Sequence, residues 1–242
     1  MAHPTANHLA GGPSGPDRSR VRVAILISGR GSNMQSLVQA ALAEDLPVEI
    51  CTVLSNRADA AGLAWARERG LPTDVLAHVG FDGRPAFDAA LRARLEQLAP
   101  DYILLAGFMR VLGDELVRRF EGRIVNIHPS LLPAFPGLHT HARALAQGVQ
   151  WHGCTVHFVT PELDHGPIIA QATIPVLADD TPERLADRLL PVEHRIYTQV
   201  LRWLAWRRVR LMPDGRVLVE GEPHRAWLGP TQFHEQDCHD HG

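Results

Sequence analysis

Asn126 and His128, one residue apart in RIVNIHPSLLPAFPGLHTH, carry the clearest chemistry of the 242-residue chain. Side chains alternate along a strand, so these two share one face while Val125 and Ile127 share the other. Strand spacing puts the pair roughly 6.5–7 Å apart at the backbone, close enough to converge on one small substrate atom. Pro129 ends the pairing, and SLLPAFPG is expected to fold over the spot as a loop. An amide donor beside a protonatable imidazole suits stabilisation of a tetrahedral oxyanion, which is acyl transfer without a protein nucleophile. No G-x-S-x-G elbow is present, and neither Cys51 nor Cys154 has the placement of an activated thiol. From the residues alone two other readings stay open. An Asn–His pair can serve only to satisfy buried backbone groups, and His128, His139 and His141 can supply metal ligands. Against a metal, neither HExxH nor a Cys/His framework occurs.

Two further segments offer partners. LISGRGSNMQ runs from a strand into a helix, where backbone N–H groups favour an anion. Met34 stands where the dinucleotide fingerprint needs its third glycine, and no Gly-Lys-Ser/Thr occurs. The turn is therefore expected to hold a single phosphate through Gly31, Ser32 and Asn33. A plain tight turn with a Ser32-x-x-Gln35 capping box is the alternative. VTPELDHGPIIAQ places Asp164 in a Gly- and Pro-bounded loop. A carboxylate near an imidazole favours its charged form, which would equip His128 as a general acid near neutral pH. Glu162 is a decoy that reads equally well as a solvated loop charge, and only the fold can bring Asp164 to His128.

The elements that must position these groups follow an alternating pattern. Apolar runs of strand length begin at residues 21, 48, 73, 101, 123, 152 and 167, and most are separated by helical periodicity. Such runs indicate an α/β fold with a mostly parallel, doubly wound, Rossmann-like sheet of about seven strands flanked by helices. A long helix is expected from about residue 181 to 208 with Pro191 as a kink or break, followed by a small C-terminal hairpin around Pro213-Asp214-Gly215. Residues 1–20 read as a disordered leader, 21–222 as one domain in two halves (21–120 and 121–222), and 223–242 as a polar tail. In that tail Cys238, His239 and His241 could ligate a metal but read better as solvated.

Composition narrows the function classes. Hydrophobic residues make up 45 %, and the net charge is -3, without the basic field that general nucleic-acid binding requires. All 24 basic residues are Arg, which excludes Schiff-base lysine chemistry and a P-loop lysine. Three cysteines without CxxC spacing fit a reduced, cytoplasmic compartment, and no apolar run reaches the length of a membrane span.

VAILISGRGSNMQSL, LLAGFMRVLG, VNIHPSLLPAFPGLHTH, HGCTVHFVTPELDHGPII and EHRIY occur in the order and spacing of the phosphoribosylglycinamide formyltransferase family, which this chain resembles from Val21 to about Leu211. The resemblance implies formyl transfer from 10-formyltetrahydrofolate, a co-substrate, to the amine of glycinamide ribonucleotide, with no metal. It implies that Asn126 and His128 polarise the formyl oxygen and that Asp164 tunes His128. Gly31, Ser32 and Asn33 match the phosphate site, and Glu193, with Leu190, Pro191 and Val192 beside it, matches the ribose side. The folate site would use Met109, Arg110, Val111, Leu112, Asn126, Thr160, Pro161, Glu162, Leu163 and Asp164, with Arg84 pairing a glutamyl carboxylate.

Two positions depart from the family pattern. His165 stands where a glycine is expected and would crowd the loop or add a titrating group near Asp164. Arg30 would strengthen anion binding. A monomer or homodimer acting on small molecules, with no nucleic acid or membrane partner, is expected. Formyltetrahydrofolate hydrolase is the alternative activity, disfavoured because its additional N-terminal domain has no room before Val21. Methionyl-tRNA formyltransferase would need a further C-terminal domain and a basic surface. A nucleotide-binding regulator would make the Asn126–His128–Asp164 set coincidental.

Overall fold

The computed structural model describes residues 20–228; the leader residues before Arg20 and the Cys238, His239 and His241 of the tail lie outside them. Five strands are parallel: β1 (Val21–Ile27), β2 (Val48–Ser55), β3 (Thr73–Val75), β4 (Tyr102–Leu105) and β5 (Ile124–His128). Between them run α1 (Ser32–Ala43), α2 (Ala61–Arg67), α3 (Gly83–Leu98) and α4 (Asp114–Arg119), with a 3-10 turn at His78–Gly80 that periodicity did not indicate. After α5 (Thr140–Ala146), β6 (Trp151–Phe158) lies antiparallel to β5 and to β7 (Ile168–Pro175). The helix α6 (Pro182–Ala205) and the hairpin β8 (Val209–Leu211) and β9 (Val217–Val219) follow.

The main sheet has eight strands, in the order β10-β7-β6-β5-β4-β1-β2-β3. The eighth, β10 (Ala226–Leu228), comes from residues read in the sequence as polar tail, and it pairs parallel with β7. Three residues are too few to show alternation. Trp227, stacked on the buried Trp203 of α6 at 5.4 Å between ring centroids, explains why they dock.

Period-two alternation divides the core in two. Val23, Ile25 and Ile27 of β1 pack with α1, α2 and α6, whereas Ala24 and Leu26 pack with α3 and α4. On β5, Val125 and Ile127 belong to the α6 side, which turns Asn126 and His128 to the other face as strand geometry requires. Helix α6 continues through Pro191 instead of breaking there. Its apolar stripe, Leu185, Leu189, Val192, Ile196, Val200 and Trp203, is buried along its length. That burial outweighs the one backbone hydrogen bond proline removes, and Pro191 itself is exposed.

Tyr197, 1 % exposed, ties the same helix to the sheet, its hydroxyl lying 3.2 Å from the Leu105 carbonyl and 3.0 Å from the Val125 carbonyl. Among the described residues no helix is long and apolar enough to cross a membrane. Tyr197→Phe, which removes this donor without leaving a cavity, is expected to cost about 1–2 kcal/mol. Urea unfolding would register it as a lower midpoint at unchanged slope.

Candidate active site

His128 is buried at the carboxyl end of β5, at 6 % exposure. Its Nε2 lies 3.0 Å from the Phe135 carbonyl, an acceptor only, so Nε2 carries a proton. The other ring nitrogen, Nδ1, faces Asp164 Oδ2 at 3.6 Å. Asp164 adopts a left-handed backbone (φ 55), and its Oδ2 also accepts the Gly137 N–H at 2.8 Å. The fold thus brings Asp164 to His128, which spacing alone left undecided, and leaves Glu162 exposed.

A second histidine completes the cluster. His157 of β6 pairs in register with Asn126. Its Nδ1 donates to the Phe158 carbonyl at 2.9 Å, so Nε2 accepts from the Asn126 amide at 3.4 Å. That Nε2 also lies 3.9 Å from Asp164 Oδ1, while burial holds the His157 pKa below the usual imidazole value. His157 was not singled out from the sequence. Its signal was there in the inward alternation of HGCTVHFVT, but the pairing register with β5 was not.

The glycine turn lies at the carboxyl end of β1. Gly31 has φ 67, in the left-handed region that favours glycine. It precedes Ser32 as the helix cap, so the expected capping box does not form: no side chain caps α1. Ser32 is already the first helical residue, one position too late for its hydroxyl to cap, and Gln35 Nε2 instead donates to the Arg30 carbonyl at 3.1 Å. An open cleft of about 410 Å³ adjoins the turn, lined by Arg30, Gly31, Ser32, Asn33, Met109 and Arg110 among others. Asn33 Nδ2 donates to Glu193 Oε2 at 2.9 Å across 160 positions of sequence, and burial raises the Glu193 pKa. Of its neighbours, Pro191 is exposed, Leu190 half-buried, and Val192 is buried in the core face of α6.

The segment after β4 presents Met109 and Val111, 75 % and 52 % exposed, with Leu112 buried beneath them. The Arg110 guanidinium lies over the Phe87 ring at 5.0 Å, and Arg84 lies 3.7 Å from Asp88. Opposite, Thr160 Oγ1 donates to the Glu162 carbonyl at 3.1 Å, and Pro161 and Leu163 are exposed. His165 turns outward, 2.7 Å from the Leu163 carbonyl and 3.8 Å from Glu162, so its partners are those and not Asp164.

Residues 21–201 match the family model described as Formyl transferase. The chain belongs to the formyl transferase family. It is 45 % identical to the phosphoribosylglycinamide formyltransferase of Escherichia coli strain K12 over 86 % of this chain and 93 % of that one. It is also similar to the crystal structure of glycinamide ribonucleotide transformylase 1 from Symbiobacterium toebii, at TM-score 0.79 and 43 % identity, covering 87 % of this chain and 99 % of that one. A formyltetrahydrofolate deformylase from Pseudomonas syringae is similar at TM-score 0.75 but 29 % identity, covering 83 % of this chain and 66 % of that one.

In this formyl transferase, of the histidines considered as metal ligands, His128 is hydrogen-bonded to the Phe135 carbonyl. His139 is exposed at the start of α5, and His141 Nδ1 lies 3.0 Å from His152 Nε2. Cys51 and Cys154 are buried free thiols, Cys51 pushed up to about 11 by burial and therefore inert. Burial, with His141 beside it, pushes His152 down to about 4. Below its ordinary value of 6.5 the unfolded chain takes up a proton at His152 that the folded chain refuses until about pH 4. Stability is therefore expected to fall as the pH drops through that window. Thermal melts across this range should show a smaller fall for His152→Gln than for the unaltered chain.

Proposed function

We infer that the chain transfers the formyl group of 10-formyltetrahydrofolate to the amine of N1-(5-phospho-D-ribosyl)glycinamide, in de novo purine (IMP) biosynthesis. The products are N2-formyl-N1-(5-phospho-D-ribosyl)glycinamide and tetrahydrofolate. The observation that carries the reading is the convergence of Asn126, His128 and Asp164 at one strand end. It occurs in a chain that matches phosphoribosylglycinamide formyltransferases over nearly their whole length. The reading carries with it a cytoplasmic location and small-molecule substrates only.

In this reading the glycine turn, Gly31 to Asn33, holds the substrate phosphate on backbone N–H groups at the start of α1, and Glu193, oriented by Asn33, holds the ribose side. The folate heterocycle lies along Met109–Leu112 and Thr160–Asp164, with its glutamyl carboxylate toward Arg84. Holding the two substrates together removes several kcal/mol from the barrier, within the roughly 7–11 kcal/mol available to proximity. The neutral amine attacks the formyl carbon, a C–N bond forms, and the carbonyl electrons move onto oxygen. That oxygen takes the place of the Phe135 carbonyl as acceptor from His128 Nε2, with the Asn126 amide as second donor. Asp164 stabilises the doubly protonated ring through Nδ1. Collapse breaks the bond to N10 of the folate; N10 gains a proton as the attacking nitrogen loses one, relayed through water by His128 and Asp164.

Hydrolysis of the formyl folate would need the same donors with water as nucleophile. The 29 % likeness to a deformylase, against 45 % and 43 % to the transferases, favours transfer. Tetrahydrofolate release from purified chain and 10-formyltetrahydrofolate should depend on the ribonucleotide; release without it supports the hydrolase. Asn126→Ala and His128→Ala should each stay folded by circular dichroism and lose about 10²–10³-fold in kcat. Near-normal turnover of folded His128→Ala would sink the mechanism. Glu193→Ala is expected to raise the ribonucleotide KM at least about tenfold with little change in the folate KM.

A further inference from the structure

Met109 to Gly113 forms the second part of the connection from β4 to α4 and carries the segment assigned above to the folate. Side chains from other elements hold both its ends. At the first end the Ser28 hydroxyl accepts the Met109 N–H at 2.8 Å and donates to Asn56 Oδ1 at 2.6 Å. Ser28 is 7 % exposed and Asn56 3 %, so water competes little for either bond. At the other end Asp88 of α3, 8 % exposed, accepts the Gly113 N–H through Oδ2 at 2.9 Å. That oxygen is also the one 3.7 Å from Arg84. A Cβ at position 113 would sit 2.6 Å from it, so a larger residue there would push the carboxylate out of its present position. Burial raises the Asp88 pKa, the cost of holding a carboxyl there.

The glycine turn has separate anchors. Gly29 accepts the Gly62 N–H at 3.1 Å, Gly31 accepts the Gln35 N–H at 2.9 Å, and Asn33 is tied to Glu193. The phosphate turn therefore does not depend on Ser28 or Asp88 side chains for its own conformation.

We propose that Ser28 and Asp88 are positioning residues that clamp Met109–Gly113 at both ends and so set affinity for the formyl folate independently of the ribonucleotide. The proposal rests on the assignment of the folate to this segment. Backbone groups that read the edge of a flat heterocycle must be held to within about half an ångström, and an unclamped loop would have to be ordered on binding. Ser28 acts with Asn56 behind it. Asp88 also lies 3.7 Å from the half-exposed guanidinium of Arg84.

Steady-state kinetics of the full chain, with both substrates varied, decide it for Ser28→Ala, Asp88→Ala and Asp88→Asn, alongside thermal melts. Ser28→Ala and Asp88→Ala are expected to raise the folate KM about tenfold while the ribonucleotide KM changes less than about twofold. Asp88→Asn keeps an acceptor for the Gly113 N–H and should recover most of the folate KM. A merely structural role would lower the melting temperature and leave both KM values as they were. That outcome, or an equal rise in both, overturns the proposal. If Asp88→Ala does not fold, Ser28→Ala and Asp88→Asn decide. Val111→Asp tests the folate assignment separately: an unchanged folate KM there removes the assignment, and the clamp with it, while the unaltered chain would still transfer formyl groups.

Discussion

Between β1 and β4 the winding of the sheet reverses. The chain leaves β1 toward β2 and β3, and later returns to add β4 and β5 on the other side. Loops from the two halves therefore diverge at the carboxyl ends of these strands and leave a crevice that no packing closes. The residues assigned above to the site are hung on that crevice. The glycine turn leaves one lip, the Met109–Gly113 segment leaves the other, and β5 brings Asn126 and His128 alongside.

Helix α6 locks this arrangement from behind. Tyr197 reaches the carbonyls of both β4 and β5, and four residues earlier Glu193 reaches Asn33. One helix thus spans the reversal and fixes the glycine turn relative to the strand that carries Asn126 and His128. Pro191, six residues before Tyr197, is tolerated because the buried stripe, not the backbone ladder, holds the helix in place. The result is a site whose parts come from distant regions of the chain but whose supports are hydrogen-bonded.

The chemistry of the cluster depends on which atoms are already engaged. The Phe135 and Phe158 carbonyls each accept a hydrogen bond from one imidazole, His128 at Nε2 and His157 at Nδ1. This leaves His128 Nδ1 turned to Asp164 and His157 Nε2 turned to the Asn126 amide. Asp164 in turn is held by the Gly137 N–H. The carboxylate therefore sits between two imidazoles, and the loop that follows β5 supplies the groups that orient it.

The sequence by itself determined the alternation of strands and helices, the glycine turn and the shared face of Asn126 and His128, because these depend on neighbours a few residues apart and on fixed backbone periods. The long motifs of a known family added the chemistry. The expected capping box failed for a local reason: Gly31 takes the cap, so Ser32 lies inside the helix. The eighth strand was illegible because three residues carry no period, and only Trp227 stacked on Trp203 reveals why they dock. Tertiary structure alone decided that Asp164 and not Glu162 meets His128, that His157 backs Asn126, that His165 faces outward, and that Ser28 and Asp88 hold the same segment. Each of those pairings joins side chains whose distance is set by sheet order and register, and no spacing along the chain encodes either one.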